Sequence, residues 1–146
     1  YMMFELIIIP IAVSLIIQAL KLIIDGIPNN FTWQHLMTDY GGMPSSHTGF
    51  VSALAVLVGI QEGFTSAAFA ICVAILIIVV RDAVGFRRQI GQNSALTNMI
   101  GREVFKKKKI NYLYERTGHT LPEVFAGFLL GSALAIFLYQ LWICWL

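Results

Sequence analysis

Three short segments gather side chains that bind anions or move protons. The first is Gly42-Met43-Pro44-Ser45-Ser46-His47-Thr48. Pro44 is placed to start a helix there, and Ser45 or Ser46 can cap it. The free backbone N–H groups of such a first turn, with the hydroxyls, make a cradle for an anion, and His47 stands in the same turn. The second segment, Gly118-His119-Thr120-Leu121-Pro122-Glu123, also begins a helix. Thr120 and Glu123 have capping-box spacing, and Glu123 also lies one helical turn from His119. A carboxylate bonded to one imidazole nitrogen fixes the tautomer and frees the other nitrogen as a nucleophile. The third segment runs from Arg81 and Asp82 through Gly85 to Arg87, Arg88 and Gln89. Two adjacent arginines present planar donor forks suited to phosphate, and Asp82 can orient one of them. Each segment also has a plainer reading: capping for the first two, and interfacial arginines ending a membrane span for the third. His35, in a loop between Gln34 and Leu36, is given no role.

The elements that must position these groups are membrane helices. Of the 146 residues, 58% are hydrophobic and 12% charged, with mean hydropathy +0.75. A soluble domain carries about twice that charge, so an ordinary water-soluble domain, a disordered chain and a collagen-like fibre are all excluded. Four apolar blocks predict four spans: Met2 to Ile24, Ser45 to Ile60, Phe64 to Val80, and Leu121 to Leu146. Pro10 should kink the first span without ending it. The middle two, at about 17 residues and so about 25 Å, just match the hydrocarbon core. A turn-rich loop from Asp25 to Met43 and a polar, basic loop over 81–117 complete the chain. The expected fold is therefore one all-α integral membrane bundle over residues 1–146. Cys72 and Cys144 both lie in apolar runs and suggest neither a disulfide framework nor a thiolate metal site.

Charge sets the orientation. Nine of the ten Lys and Arg residues fall between Arg81 and Arg116, accompanied by three acids, Asp82, Glu103 and Glu115. The positive-inside rule places this loop in the cytoplasm. The Lys106-Lys107-Lys108-Lys109 run is read as topology and attraction to anionic headgroups. Counting spans then brings Lys21, the Gly41–His47 segment, Arg81 to Arg88 and Gly118 to Glu123 to one membrane face. Polar groups gathered at one depth of a small bundle mark a site, and His, Ser, Lys and Arg with few carboxylates suit an anion. The expected setting is the plasma (inner) membrane of a prokaryote, with the site facing the cytoplasm.

In order along the chain, Gln18-x-x-Lys21, Gly41-Gly42-Met43-Pro44-Ser45-Ser46-His47, Asp82-Ala83-Val84-Gly85-Phe86-Arg87-Arg88 and Gly118-His119-Thr120-Leu121-Pro122-Glu123-Val124 resemble the divergent branch of the type 2 phosphatidic acid phosphatase superfamily. That superfamily also includes vanadium-dependent haloperoxidases. The resemblance covers nearly the whole chain. It implies a metal-independent phosphatase, needing no cofactor, that hydrolyses a lipid phosphate monoester or diphosphate through a phosphohistidine. By the same resemblance His119 would be the nucleophile, Glu123 its orienter and His47 the acid on the leaving oxygen. Lys21, Ser45, Ser46 and Arg87 or Arg88 would hold the phosphoryl oxygens. The sequence departs from the main branch in four places. Leu113 stands where an Arg is usual six residues before the nucleophile, and Arg116 lies only three before. No Lys-x6-Arg-Pro motif follows Lys21, Glu123 replaces Asp, and Ser46 replaces Gly.

Two other functions fit the same residues. One is a non-catalytic lipid-phosphate binding or transport protein that reuses the pocket. The other is a metal site at His47, His119 and Glu123, which the surrounding Arg and Lys charges oppose. Expected partners are membrane lipids and a lipid-phosphate substrate, with no nucleic acid; a homo-oligomer is compatible with these expectations.

Overall fold

The computed structural model describes residues 4–25, 42–105 and 112–145. His35, the Lys106–Lys109 run and most of the loop expected between the first two spans lie outside the described residues. Among the described residues five helices follow in order: α1 (Glu5–Asp25), α2 (Ser46–Glu62), α3 (Ala67–Val84), α4 (Phe86–Val104) and α5 (Leu121–Trp145). The protein is a helical membrane bundle. Helices α1, α3 and α5 are long and apolar enough to cross a membrane. The 17-residue α2 packs against all three of them.

The core explains why α2 sits in the middle. Ile9, Val13 and Ile17 of α1 meet Ala53 and Leu57 of α2 and Ala135 of α5, all at most 3% exposed. The three α1 residues recur every fourth position, which puts them on one helical stripe. Extending that stripe by one step each way reaches Glu5 and Lys21, both also buried. The outward positions of α1, such as Ile8, Ile11 and Leu15, and of α3, such as Ile71, Ile75 and Ile78, are exposed apolar residues. That is the inside-out surface a bilayer requires.

Small residues let α2 and α5 approach closely, as in membrane helix pairs generally. A Cβ on Gly131 would lie 2.5 Å from the Gly49 Cα and 2.6 Å from the Ser52 hydroxyl. One on Gly127 would collide with the Ser45 carbonyl oxygen.

The basic segment 81–117 differs from the expected loop. Its first half is the 19-residue helix α4, separated from α3 by Gly85 alone. Its apolar residues recur at helical spacing instead of forming a block, so the segment does not stand out as a span. Its inner face is instead small and polar: Gly91, Ser94 and Asn98 are buried. The Asn98 side chain pairs with the returning chain, donating to the Leu113 carbonyl (2.7 Å) and to Glu115 Oε1 (2.8 Å) while accepting from the Leu113 N–H (2.8 Å).

Candidate active site

Two helix starts lie side by side at one end of the bundle. Ser45 caps α2: its Oγ accepts from the Thr48 N–H (3.4 Å) and from the Thr48 hydroxyl (3.0 Å). The Ser45 N–H in turn donates to the Glu123 carbonyl in the first turn of α5 (3.1 Å). Ser45, Ser46 and Thr48 are buried, whereas the intervening His47 is exposed. Thus Ser45 serves the cap and the helix pairing, and His47 projects outward from the same turn.

His119 sits where three elements converge. Its N–H donates to the Ala83 carbonyl near the end of α3 (2.9 Å). The preceding Gly118 has φ +82°, and a Cβ there would run into the Arg87–Arg88 backbone, so only glycine fits this turn. The His119 side chain is 8% exposed. Its Nδ1 lies 3.3 Å from Glu123 Oε2, and the same oxygen accepts from the Thr120 N–H at 2.9 Å. Glu123 therefore caps α5 and contacts the histidine with one oxygen.

Burial and a neighbouring cation favour the uncharged form of this imidazole. Burial lowers the His119 pKa below the ordinary 6.5, the Lys21 ammonium adds to that effect, and the Glu123 carboxylate opposes it. Lys21 reaches the site as the last residue of the buried α1 stripe.

His119 borders two cavities. The smaller, of about 60 Å³, is lined by His47, Val79, Asp82, Ala83, Arg87, Gly118 and His119. Arg87 Nε donates to Asp82 Oδ2 at its rim. The larger, of about 180 Å³, is lined by Arg88, Arg116, Thr117, Thr120 and Glu123, with Gly42, Gly118 and His119. The adjacent arginines thus point to different sides of the histidine. Ser45 and Ser46 line neither of these cavities. Leu113, at the usual arginine position, is exposed and held by Asn98 on α4. Arg116, three residues before His119 where the main branch has its arginine at six, lines the larger cavity. Only its nearness to His119 in sequence could have signalled that. Among the described residues, no three His, Cys, Asp or Glu side chains converge as metal ligands.

Comparison with known proteins then places the molecule. The model of a family described as the Divergent PAP2 family matches residues 3–134. The chain belongs to the Divergent PAP2 family. Among relatives of this family member is the uncharacterized membrane protein YuiD of Bacillus subtilis (strain 168), 31% identical over 141 residues, which cover 88% of this chain and 89% of the relative. No solved structure matches. The family match spans every residue from Lys21 to Glu123 described above. Chemically, the candidate site offers a buried imidazole in contact with a carboxylate, and a second imidazole and a guanidinium that line the same small cavity.

Proposed function

We propose that the protein is a membrane-embedded phosphatase acting on a lipid phosphate through a phosphohistidine. The observation that carries this reading is the pairing of His119 Nδ1 with Glu123 beside a small cavity that His47 and Arg87 also line. With Nδ1 engaged, Nε2 is the nitrogen left to attack phosphorus. As the N–P bond forms, the bond from phosphorus to the lipid oxygen (or to the bridging oxygen of a diphosphate) breaks. His47 donates a proton to the departing oxygen. Water then attacks the phosphohistidine, His47 takes its proton, and phosphate and a free His119 are regenerated. Lys21 and Arg87 offset the negative charge on the phosphoryl oxygens. The apolar bundle explains the lipid: a substrate anchored in the bilayer delivers its phosphate to the helix ends where the site lies. The basic excess between Arg81 and Arg116 favours a cytoplasmic opening, and hence substrate drawn from that leaflet.

Phosphate release from a panel of lipid phosphates in detergent tests the reading. The wild-type chain should release phosphate, and His119→Ala should abolish release without unfolding the protein. Wild-type turnover by that variant would remove His119 from the mechanism. Vanadate or phosphate should also raise the thermal stability of the wild-type chain, because a ligand binding only the folded state stabilises it. Arg87→Ala should lose more of that protection than Arg88→Ala, since Arg87 lines the cavity shared with His47. Protection without any phosphate release would favour the binding or transport reading. That alternative draws on Asp82, whose ion pair offsets part of the Arg87 charge.

A further inference from the structure

Helix α4 has its polarity reversed relative to a soluble amphipathic helix. Its buried face is Gly91, Ser94 and Asn98, whereas Phe86, Ile90, Leu96, Ile100 and Val104 are each 53–66% exposed. At 100° per residue these five apolar residues fall within one side of the helix. Arg88 and Arg102 lie on the far side of it. The helix is too polar to cross a bilayer: four charged side chains and several amides fall within its 19 residues. It follows the apolar span α3 after Gly85 alone, so its apolar stripe begins where the lipid-facing surface of α3 ends. At 1.5 Å per residue it is about 28 Å long, far more than a connecting turn needs.

We propose that α4 is a membrane-surface helix, its apolar stripe seated at the boundary between headgroups and acyl chains and its exposed polar face, with Arg102, turned to the headgroup side. Two features carry this assignment: the reversed polarity and the continuity with a lipid-facing span; Arg102, which reaches Glu115 at 4.0 Å and lies over the Tyr112 ring, stays well exposed on the polar face. The consequence reaches the site. Gly91 packs on the Glu115 and Thr117 carbonyl oxygens, and Gly118 packs on Arg87 and Arg88. With the Asn98 hydrogen bonds, these contacts fasten the segment before His119 along α4. The depth at which α4 lies therefore sets the depth of the His119 cavities, at the level of lipid headgroups. The inference does not depend on hydrolysis.

Two neighbouring positions test it. Ile90 and Gln92 are about 160° apart around the helix, one on the stripe and one off it. Single cysteines, Ile90→Cys and Gln92→Cys, are placed in a Cys72→Ala, Cys144→Ala background and labelled with an environment-sensitive fluorophore. The full chain is then reconstituted in vesicles containing anionic phospholipid. The Ile90→Cys label should be quenched by lipids carrying a nitroxide just below the headgroup and shielded from aqueous iodide. The Gln92→Cys label should show the reverse. Val104→Cys, at the far end of the stripe, should repeat the Ile90→Cys result, which guards against one label perturbing its own site. Equal iodide access at Ile90→Cys and Gln92→Cys would overturn the proposal, placing α4 in water. Stronger quenching by nitroxides at the bilayer centre would overturn it in favour of a span. Shielding of Ile90→Cys from both quenchers would overturn it in favour of a protein partner, such as a second copy.

Discussion

Glu123 offers a clean separation between holding the fold and doing chemistry, because its Oε2 serves both Thr120 and His119. Glu123→Gln keeps an acceptor oxygen of the same reach. It can still receive the Thr120 N–H, so the cap at the start of α5 survives. The backbone bond from Ser45 to the Glu123 carbonyl is untouched as well. Stability should therefore stay within roughly 0.5 kcal/mol of wild type, as for a substitution that breaks no buried contact. On the proposed mechanism, what is lost is the negative charge that orients the imidazole and stabilises the cation formed when Nε2 bonds to phosphorus. The analogous loss of an orienting carboxylate in a serine hydrolase costs about 10⁴ in turnover, so a fall of roughly 10²–10⁴ is expected here. Glu123→Ala should lose the same activity and the cap too, costing about 1 kcal/mol further. Phosphate release and thermal unfolding, measured on both variants in one detergent, read the two effects separately. If Glu123→Gln hydrolyses lipid phosphate at the wild-type rate, Glu123 is only a cap and the orientation of His119 by its carboxylate is refuted.

Three further outcomes are expected. His119 has a folded pKa below its unfolded 6.5, so the unfolded state binds more protons in the window between them. Stability is then complete above 6.5 and falls as pH drops through that window, and His119→Gln should flatten this slope in melts from about pH 5 to 8; equal slopes would contradict it. Gly131→Leu forces a side chain onto the Gly49 backbone of α2 and should destabilise the bundle by about 1–3 kcal/mol, whereas a neutral outcome in thermal melts would show that the helices separate freely. In intact cells, a membrane-impermeant maleimide should label Glu62→Cys and spare Lys108→Cys in the cysteine-free background, and the reverse pattern would invert the orientation and the leaflet that supplies substrate.

The long apolar blocks made most of the fold legible, because a span must be apolar along its whole length. The blocks ending at Ile24, Ile60 and Val80 correspond to α1, α2 and α3, with helix boundaries differing by a few residues. Helix α4 escaped because its partners are polar. Asn98 and Gly91 are inward residues only because the chain returns beside them at Leu113 to Thr117, and nothing local encodes that return. The site was half legible for the same reason. His119 and Glu123 are four apart on one helix start, so their contact follows from helical spacing. Which side of His119 each arginine takes depends on the turn at Gly118 and on Asp82 capturing Arg87, both tertiary facts.

The close pairing of α2 and α5 and the existence of the cavities follow from one device. Gly127 and Gly131 remove side chains where α5 crosses α2, and the gap is closed by the backbone at Ser45 and Gly49. With backbones in contact, the Ser45 N–H can donate directly to the Glu123 carbonyl, which locks the two helix starts at one level. Only then do the motifs carrying His47 and His119, far apart in sequence, face one cavity. Lys21, buried at the end of the α1 stripe, lines neither cavity, yet its charge acts on His119. A larger residue at Gly127 would press on the Ser45 backbone, whose N–H holds the Glu123 carbonyl. The glycines on α5 are therefore positioning residues for the two histidines as much as packing residues for the bundle.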